Sequence, residues 1–272
     1  MKNTTTIKSW GHLQKVLFDD SLSTRSSIDR FRSEFVFRGL SNKDYDLKPS
    51  LNRVCDKSLH LEKHLIRNFK KYLNISDINR DNFWELIALA QHHGLPTRLL
   101  DWTTSPIVAA HFATEDFSKY NTDGIIWCLN TVELHNLLPD ELNKIIAGEN
   151  AYIFTTEMLN KYKNFDDLEK ISTTEFFFMY EPPSIDDRIV NQYALFSVAS
   201  NSNLILSNWL LKYPNLYKKI IIPKEKKLEI RDRLDQMNMT ERVIYSGLDG
   251  LCKWLSRYYT PTETIKKIIT TK

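Results

Sequence analysis

The chain has 272 residues, of which 42% are hydrophobic and 12% aromatic, and a formal net charge of +3. That composition belongs to a globular protein with a sizeable core and excludes a disordered chain. The charge is too mild either to demand or to exclude a nucleic-acid partner. No run approaches the ~20 apolar residues that a membrane-spanning helix needs. No apolar signal core opens the chain, and three well-separated cysteines (Cys55, Cys128 and Cys252) show no metal-binding spacing. The expectation is a cytoplasmic protein with no metal and no membrane partner, in a reducing compartment.

In chain order, residues 7–18 carry Ile7, Trp10, Leu13 and Leu17 at helical spacing, and residues 19–30 read as a polar loop. FVFRG, ending at Gly39, alternates as a short aromatic strand. Residues 59–73 form a basic amphipathic helix with Leu61, Leu65, Phe69 and Tyr72 on its apolar side. Its Lys/Arg side is a solvated face or a contact for an anionic partner. Residues 83–93 are a largely buried helix, closed by Gly94 and Pro96. Residues 97–102 are extended, and Ser105-Pro106 opens another helix, with serine as N-cap and proline at the first helical position. GIIWCLN, from Gly124, is a buried strand; residues 133–163 mix helix and loop. Further strands are expected at 175–180, 188–198 and 218–222, and helices at 203–211, 224–236 and 247–259. In the last helix Leu248, Leu251, Leu255 and Tyr258 should face inward, and the polar tail beyond it should fray. Strands and helices do not alternate as regular βαβ units, and no GxGxxG or Walker loop occurs. The fold class is therefore α+β, with a mixed central sheet and peripheral helices. The domain reading is an N-terminal helix and loop (1–30), one globular domain (31–259) and a tail (260–272).

Three pieces carry polar chemistry beside apolar runs. Arg38 beside side-chain-free Gly39 suits a phosphate approaching the backbone. Thr103, Thr104 and Ser105 mark a helix start, where free N–H groups favour an anion. Arg188 and Gln192 lie on an expected strand, preceded by Glu181. Arg98 and Asp101 flank Leu99-Leu100, where burial obliges them to pair, with each other or with something else. His92 and His93 end a helix, one of them facing a site; His93 is the choice.

AQHHGLPTRLLDWTTSPIVAAHFA, FVFRGLSNKDYDLKPSLNR, EPPSIDDRIVNQYALF and YSGLDGLCKWL together resemble the FRG domain family, over roughly 31–259. That family is similar, more remotely, to mono-ADP-ribosyltransferases, which implies a split sheet and NAD as co-substrate. By that resemblance Arg38, His93, Glu181 and Gln192 would be catalytic. Arg38, Gly39, Arg98, Asp101, Thr103, Thr104, Ser105 and Arg188 would hold the nucleotide. Gln192 stands where a catalytic glutamate is expected, and Ala194 where the family usually has glycine. The resemblance also implies bacterial or phage accessory proteins of toxin or anti-phage defence type, with an acceptor, protein or nucleic acid, that the sequence does not name. The alternatives are a non-catalytic module binding nucleotide, nucleic acid or protein, and a nuclease using His92 or His93 with Asp101.

Overall fold

The computed structural model describes residues 3–19, 23–25, 28–54, 58–73, 82–184 and 186–270. Cys55 lies outside them. The first half comprises β1 (Thr4–Thr6), α1 (Trp10–Leu17), β2 (Ser23–Arg25), β3 (Phe31–Ser33), β4 (Phe35–Leu40), α2 (Ser50–Val54), α3 (Ser58–Tyr72), α4 (Phe83–His92), β5 (Leu100–Thr103), α5 (Pro106–Thr114) and β6 (Gly124–Asn130). Then come α6 (Thr131–His135), α7 (Asp140–Gly148), α8 (Phe165–Glu169), β7 (Phe177–Tyr180), α9 (Asp187–Asn191), β8 (Ala194–Ala199), α10 (Leu206–Leu210) and β9 (Tyr217–Ile222). Four helices close the chain: α11 (Lys224–Gln236), α12 (Glu241–Ile244), α13 (Gly247–Tyr258) and α14 (Thr262–Thr270).

Seven strands form one mixed sheet in the order β1-β9-β6-β4-β5-β8-β7, so the α+β expectation holds. Among the pairings of these seven strands, β1–β9 is parallel and the others are antiparallel. β6 is paired along its length on both sides and nearly all of it is buried, as its unbroken apolar run requires. β4 and β5, by contrast, share a single register pair, Phe37 with Thr103. The sheet is thus two blocks, β1-β9-β6-β4 and β5-β8-β7, joined at one point.

Side chains alternate across a strand, and that alternation sorts the core. Val36, Leu100, Trp102, Trp127, Met179 and Leu195 share one cluster on one face, roofed by α6 and α10. The opposite face carries two clusters. Phe37, Ile126 and Ile220 meet α1, α5 and α11 over the first block. Phe178, Tyr180, Phe196 and Val198 meet α4, α7 and α8 over the second. Leu99 and Leu100, adjacent in sequence, are both buried because they enter different clusters. The space between the two helical layers lies above the β4–β5 junction.

α5 is set where the sequence places it. The Ser105 side chain accepts from the Val108 N–H, and Pro106 takes the first helical position. The helix crosses β4 so closely that a Cβ on Gly39 would lie 1.8 Å from the Ala109 carbonyl oxygen. Gly39 is therefore a packing requirement of the α5–β4 contact.

Four expectations need correction. The stretch 188–198 is not one strand. Its first part is the helix α9, capped by Asp186, and the strand begins only at Ala194. Tyr193 makes the change of direction with φ +48°, a conformation its sequence neighbours do not announce. Second, the 19–30 loop contains β2, which pairs with β3. Third, α13 turns much of its apolar stripe outward: Leu248 is 77% and Tyr258 55% exposed, and Tyr72 of α3 is exposed as well. Fourth, residues 262–270 form α14, which buries Ile265.

Two outcomes follow from these contacts. Gly39→Ala should cost at least about 3 kcal/mol in urea unfolding, because the obstructing atoms are backbone. Gly11→Ala, in α1 with nothing within 4 Å of the new methyl, should instead stabilise by about 0.5–1 kcal/mol. The second outcome concerns His135, which is buried and accepts the Met179 N–H at its Nε2, 3.3 Å away. Burial pushes its pKa down to about 4 from 6.5. Between those values the unfolded chain binds the extra proton, so stability should fall as pH drops from 6.5 to 4. Melting curves of His135→Gln should lose up to about 3 kcal/mol of that pH dependence.

Candidate functional site

Above the β4–β5 junction lies a cleft of about 620 Å³. Its floor is the same face of three strands: Phe37 and Gly39 of β4, Asp101 and Thr103 of β5, and Ala194 and Phe196 of β8. The walls are the C-terminal end of α4 (Gln91, His92, His93), Ser50 and Arg53 of α2, Arg188 and Gln192 of α9 and its cap, and Phe112 of α5. Three arginines and two histidines line it against one carboxylate, Asp101.

Arg38 belongs by alternation to the other face, opposite Trp127, yet its side chain lines the cleft. Its Nη1 donates to the Asp101 main-chain carbonyl and lies 3.7 Å from the Asp101 carboxylate. The guanidinium thus bridges strands that otherwise meet at one residue pair. Only 15% of this side chain is exposed. Burial pulls its pKa down, Asp101 opposes that pull, and nearby Arg53 reinforces it. Among the described residues, the buried Nε of Arg38 has no hydrogen-bond partner.

A hydrogen-bonded chain fixes Asp101 from the other side. The Leu99 N–H donates to the Thr97 hydroxyl, which donates to Gln91 Oε1 at 2.5 Å. Gln91 Nε2 then donates to Asp101 Oδ1 at 3.0 Å. An ionised carboxylate only accepts, so the amide orientation is dictated by its neighbours. His92 Nε2 lies 3.4 Å from Asp186. Burial lowers the His92 pKa, Asp186 raises it, and Arg188 and His93 lower it further.

The Arg188 wall rests on the C-terminal helices. Its guanidinium sits 5.3 Å from the Tyr245 ring centroid. The Tyr245 hydroxyl donates to Glu115, whose Oε2 lies 3.3 Å from His111 Nε2. His111 Nδ1 faces Arg231 Nη1 at 2.9 Å. A guanidinium can only donate, so Nδ1 of this fully buried imidazole is the acceptor, while its Nε2 has no hydrogen-bond partner among the described residues. The same wall is tied at Gln192, whose Nε2 donates to the Ile244 carbonyl at 3.2 Å.

Of the residues singled out in the sequence, Arg38, Gly39, His93, Asp101, Thr103, Arg188 and Gln192 line this cleft, and four do not. Arg98 pairs with Glu62 at 2.6 Å and with Glu169 at 3.0 Å, not with Asp101. Removing Glu62 would leave this buried cation with Glu169 as its remaining carboxylate partner and the Arg98 N–H without its acceptor. Ser105 is engaged as the α5 cap, and its own N–H donates to Thr103 Oγ1 at 3.0 Å. Thr104 is exposed, its N–H donating to the Tyr193 carbonyl. The hydroxyl-rich helix start therefore satisfies its own groups, and only Thr103 reaches the cleft. Glu181 is exposed just past β7, its N–H donating to Phe154. Gln192 caps a helix and is not on a strand. His92 lines the cleft alongside His93, and its side chain is 11% exposed. Ser50, Arg53 and Gln91 line the cleft as well; all three stand in the stretches that resemble the FRG family, but Gln91 reads there as a helix-face residue and nothing local marks Ser50 or Arg53.

Fold and site together define an α+β protein with a cationic cleft at a junction between two strand blocks. Residues 33–122 match the family model of the FRG domain. No curated protein and no solved structure matches the chain. Among the described residues no group of three or more His, Cys, Asp or Glu could hold a metal ion, and no helix is long and apolar enough to cross a membrane.

The charges around His92 give a test with opposite signs. Asp186→Asn should lower its titration midpoint and Arg188→Gln should raise it, both read by NMR of the imidazole nitrogens.

Proposed function

We propose that the cleft binds a dinucleotide of the NAD class and that the protein breaks its nicotinamide–ribose bond, in ADP-ribosyl transfer or NAD cleavage. The charge balance carries this reading: Arg38, Arg53 and Arg188 face one carboxylate, and the buried Nε of Arg38 is unpartnered. A pyrophosphate supplies the two charges and the acceptor oxygens that arginine forks match. Phe37, Phe112, Phe196 and Ile189 offer apolar surface for flat rings. The volume of about 620 Å³ suits such a ligand. Breaking the glycosidic bond develops positive charge on the ribose, which a fixed carboxylate stabilises. Asp101 takes that part in this reading, since Glu181 lies outside the cleft and the Gln192 amide carries no charge. A bacterial toxin or anti-phage role, in the cytoplasm, goes with the same reading.

A second reading, a non-catalytic nucleotide-binding module, is favoured by one observation. Both Asp101 carboxylate oxygens are already engaged, one by Gln91 and one by Arg38.

Thermal-shift titration with NAD, ADP-ribose and pyrophosphate tests the binding that both readings share, and a nicotinamide-release assay separates them. A rise in melting temperature by mass action is expected with each. Arg38→Gln, checked for fold by circular dichroism, should weaken binding at least about tenfold, roughly 1.4 kcal/mol. Nicotinamide release that disappears in Asp101→Asn supports the enzyme. Binding without release supports the module, and no shift with any of the three overturns both.

A further inference from the structure

A second concavity, of about 440 Å³, lies between α3, the start of α4 and the residues leading into α8. It shares no lining residue with the cleft above the β4–β5 junction. Its floor is apolar: Ile66, Phe83, Leu86 and Phe165. Its rim is cationic, with Lys63, Arg67 and Lys70 on α3 and Lys163 opposite. The three α3 residues follow at i, i+4 and i+7, so they share one helix face and span about 10 Å of it. Five cations line the groove against two carboxylates, and each carboxylate is paired: Glu62 with Arg98 and Asp166 with Lys63, both at 2.6 Å.

From this arrangement we infer that the groove docks an acidic peptide segment, seating a large apolar side chain on the floor and its carboxylates along α3. Charge complementarity decides for an acidic partner. The state of the aromatic rings decides for a peptide over single-stranded nucleic acid. Nucleic-acid grooves need open aromatic faces on which bases stack. Here the Arg98 guanidinium lies 4.0 Å from the Phe165 ring centroid, and Phe83 meets the same ring edge-on at 4.9 Å. What the floor offers is aliphatic surface and ring edges, which suit a leucine or phenylalanine side chain. Rows of carboxylates on an amphipathic helix repeat at the same three- and four-residue steps as the α3 cations.

The test uses the full chain and a fluorescein-labelled amphipathic peptide of Glu and Leu, read by fluorescence anisotropy. Saturable binding is expected, weakened when salt rises from about 50 to about 300 mM. The Arg67→Glu/Lys70→Glu double variant should lose affinity at least about tenfold with its melting temperature retained, since both side chains are exposed. A peptide with its leucines replaced by serine should lose a similar factor. Equal binding of a Lys-for-Glu peptide, or binding indifferent to the double variant, overturns the proposal. Tighter binding of a labelled oligouridine, lost in the same variant, overturns it in favour of nucleic acid. NAD binding in the other cleft should be unchanged by the double variant, which keeps the two assignments separable.

Discussion

The contact on which the site depends is Arg38 across the β4–β5 junction. Two strand blocks share one register pair there, and a junction held that loosely leaves main-chain groups without ladder partners. The Arg38 guanidinium takes one of them, the Asp101 carbonyl, and holds the Asp101 carboxylate nearby. A cation is thereby kept where the sheet is weakest and the surface most concave. The cost of burying it is offset only in part, because Nε has no partner among the described residues. A buried, charged, incompletely bonded group beside an open cavity favours whatever anion can complete it.

The walls are set by two independent devices. On one side Gly39 lets the α5 backbone rest on β4, which fixes how far Phe112 projects over the floor. On the other, α9 is held by the C-terminal helices through Gln192–Ile244, Asn191–Ser246 and Arg188–Tyr245. These helices are joined to α5 through the Glu115–His111–Arg231 contacts, in which His111 and Arg231 are fully buried. Arg257 adds a closed ionic corner, contacting Asp235 at 2.6 Å and Glu241 at 2.5 Å. The two walls are therefore not free of each other: α5 contributes to both.

Local chemistry made much of this readable from the chain. Ser105-Pro106 and Gly94 mark helix ends through capping and positive φ, and both are found as such. GIIWCLN is a doubly covered strand, as its unbroken apolar run implies. What could not be read is nonlocal. Arg98 and Asp101 sit three residues apart, yet pair with Glu62 and Arg38, far away in sequence. The 188–198 stretch alternates well enough for a strand, and only Asp186 as a cap and a left-handed Tyr193 reveal the helix. Gly39 lines the cleft, and the space its missing side chain leaves is also taken by the α5 backbone, a contact that no neighbour in the sequence announces. The apolar stripe of α13 carries the pattern of a buried helix while Leu248 stands in solvent, so pattern alone does not say which side is covered.

The segment that matches the FRG domain ends at residue 122 and contains β4 and β5 but neither β6 nor β8. Those two strands supply almost all the hydrogen bonds that β4 and β5 make. Cut out at its matched limits, the segment would hold two strands touching at one residue, with most of their edges bare. Such a fragment has no reason to fold. A gene-level exchange of this signature between proteins would have to carry the flanking strands with it. Expression trials and chimeras should accordingly be cut by the sheet and not by the boundaries of the match.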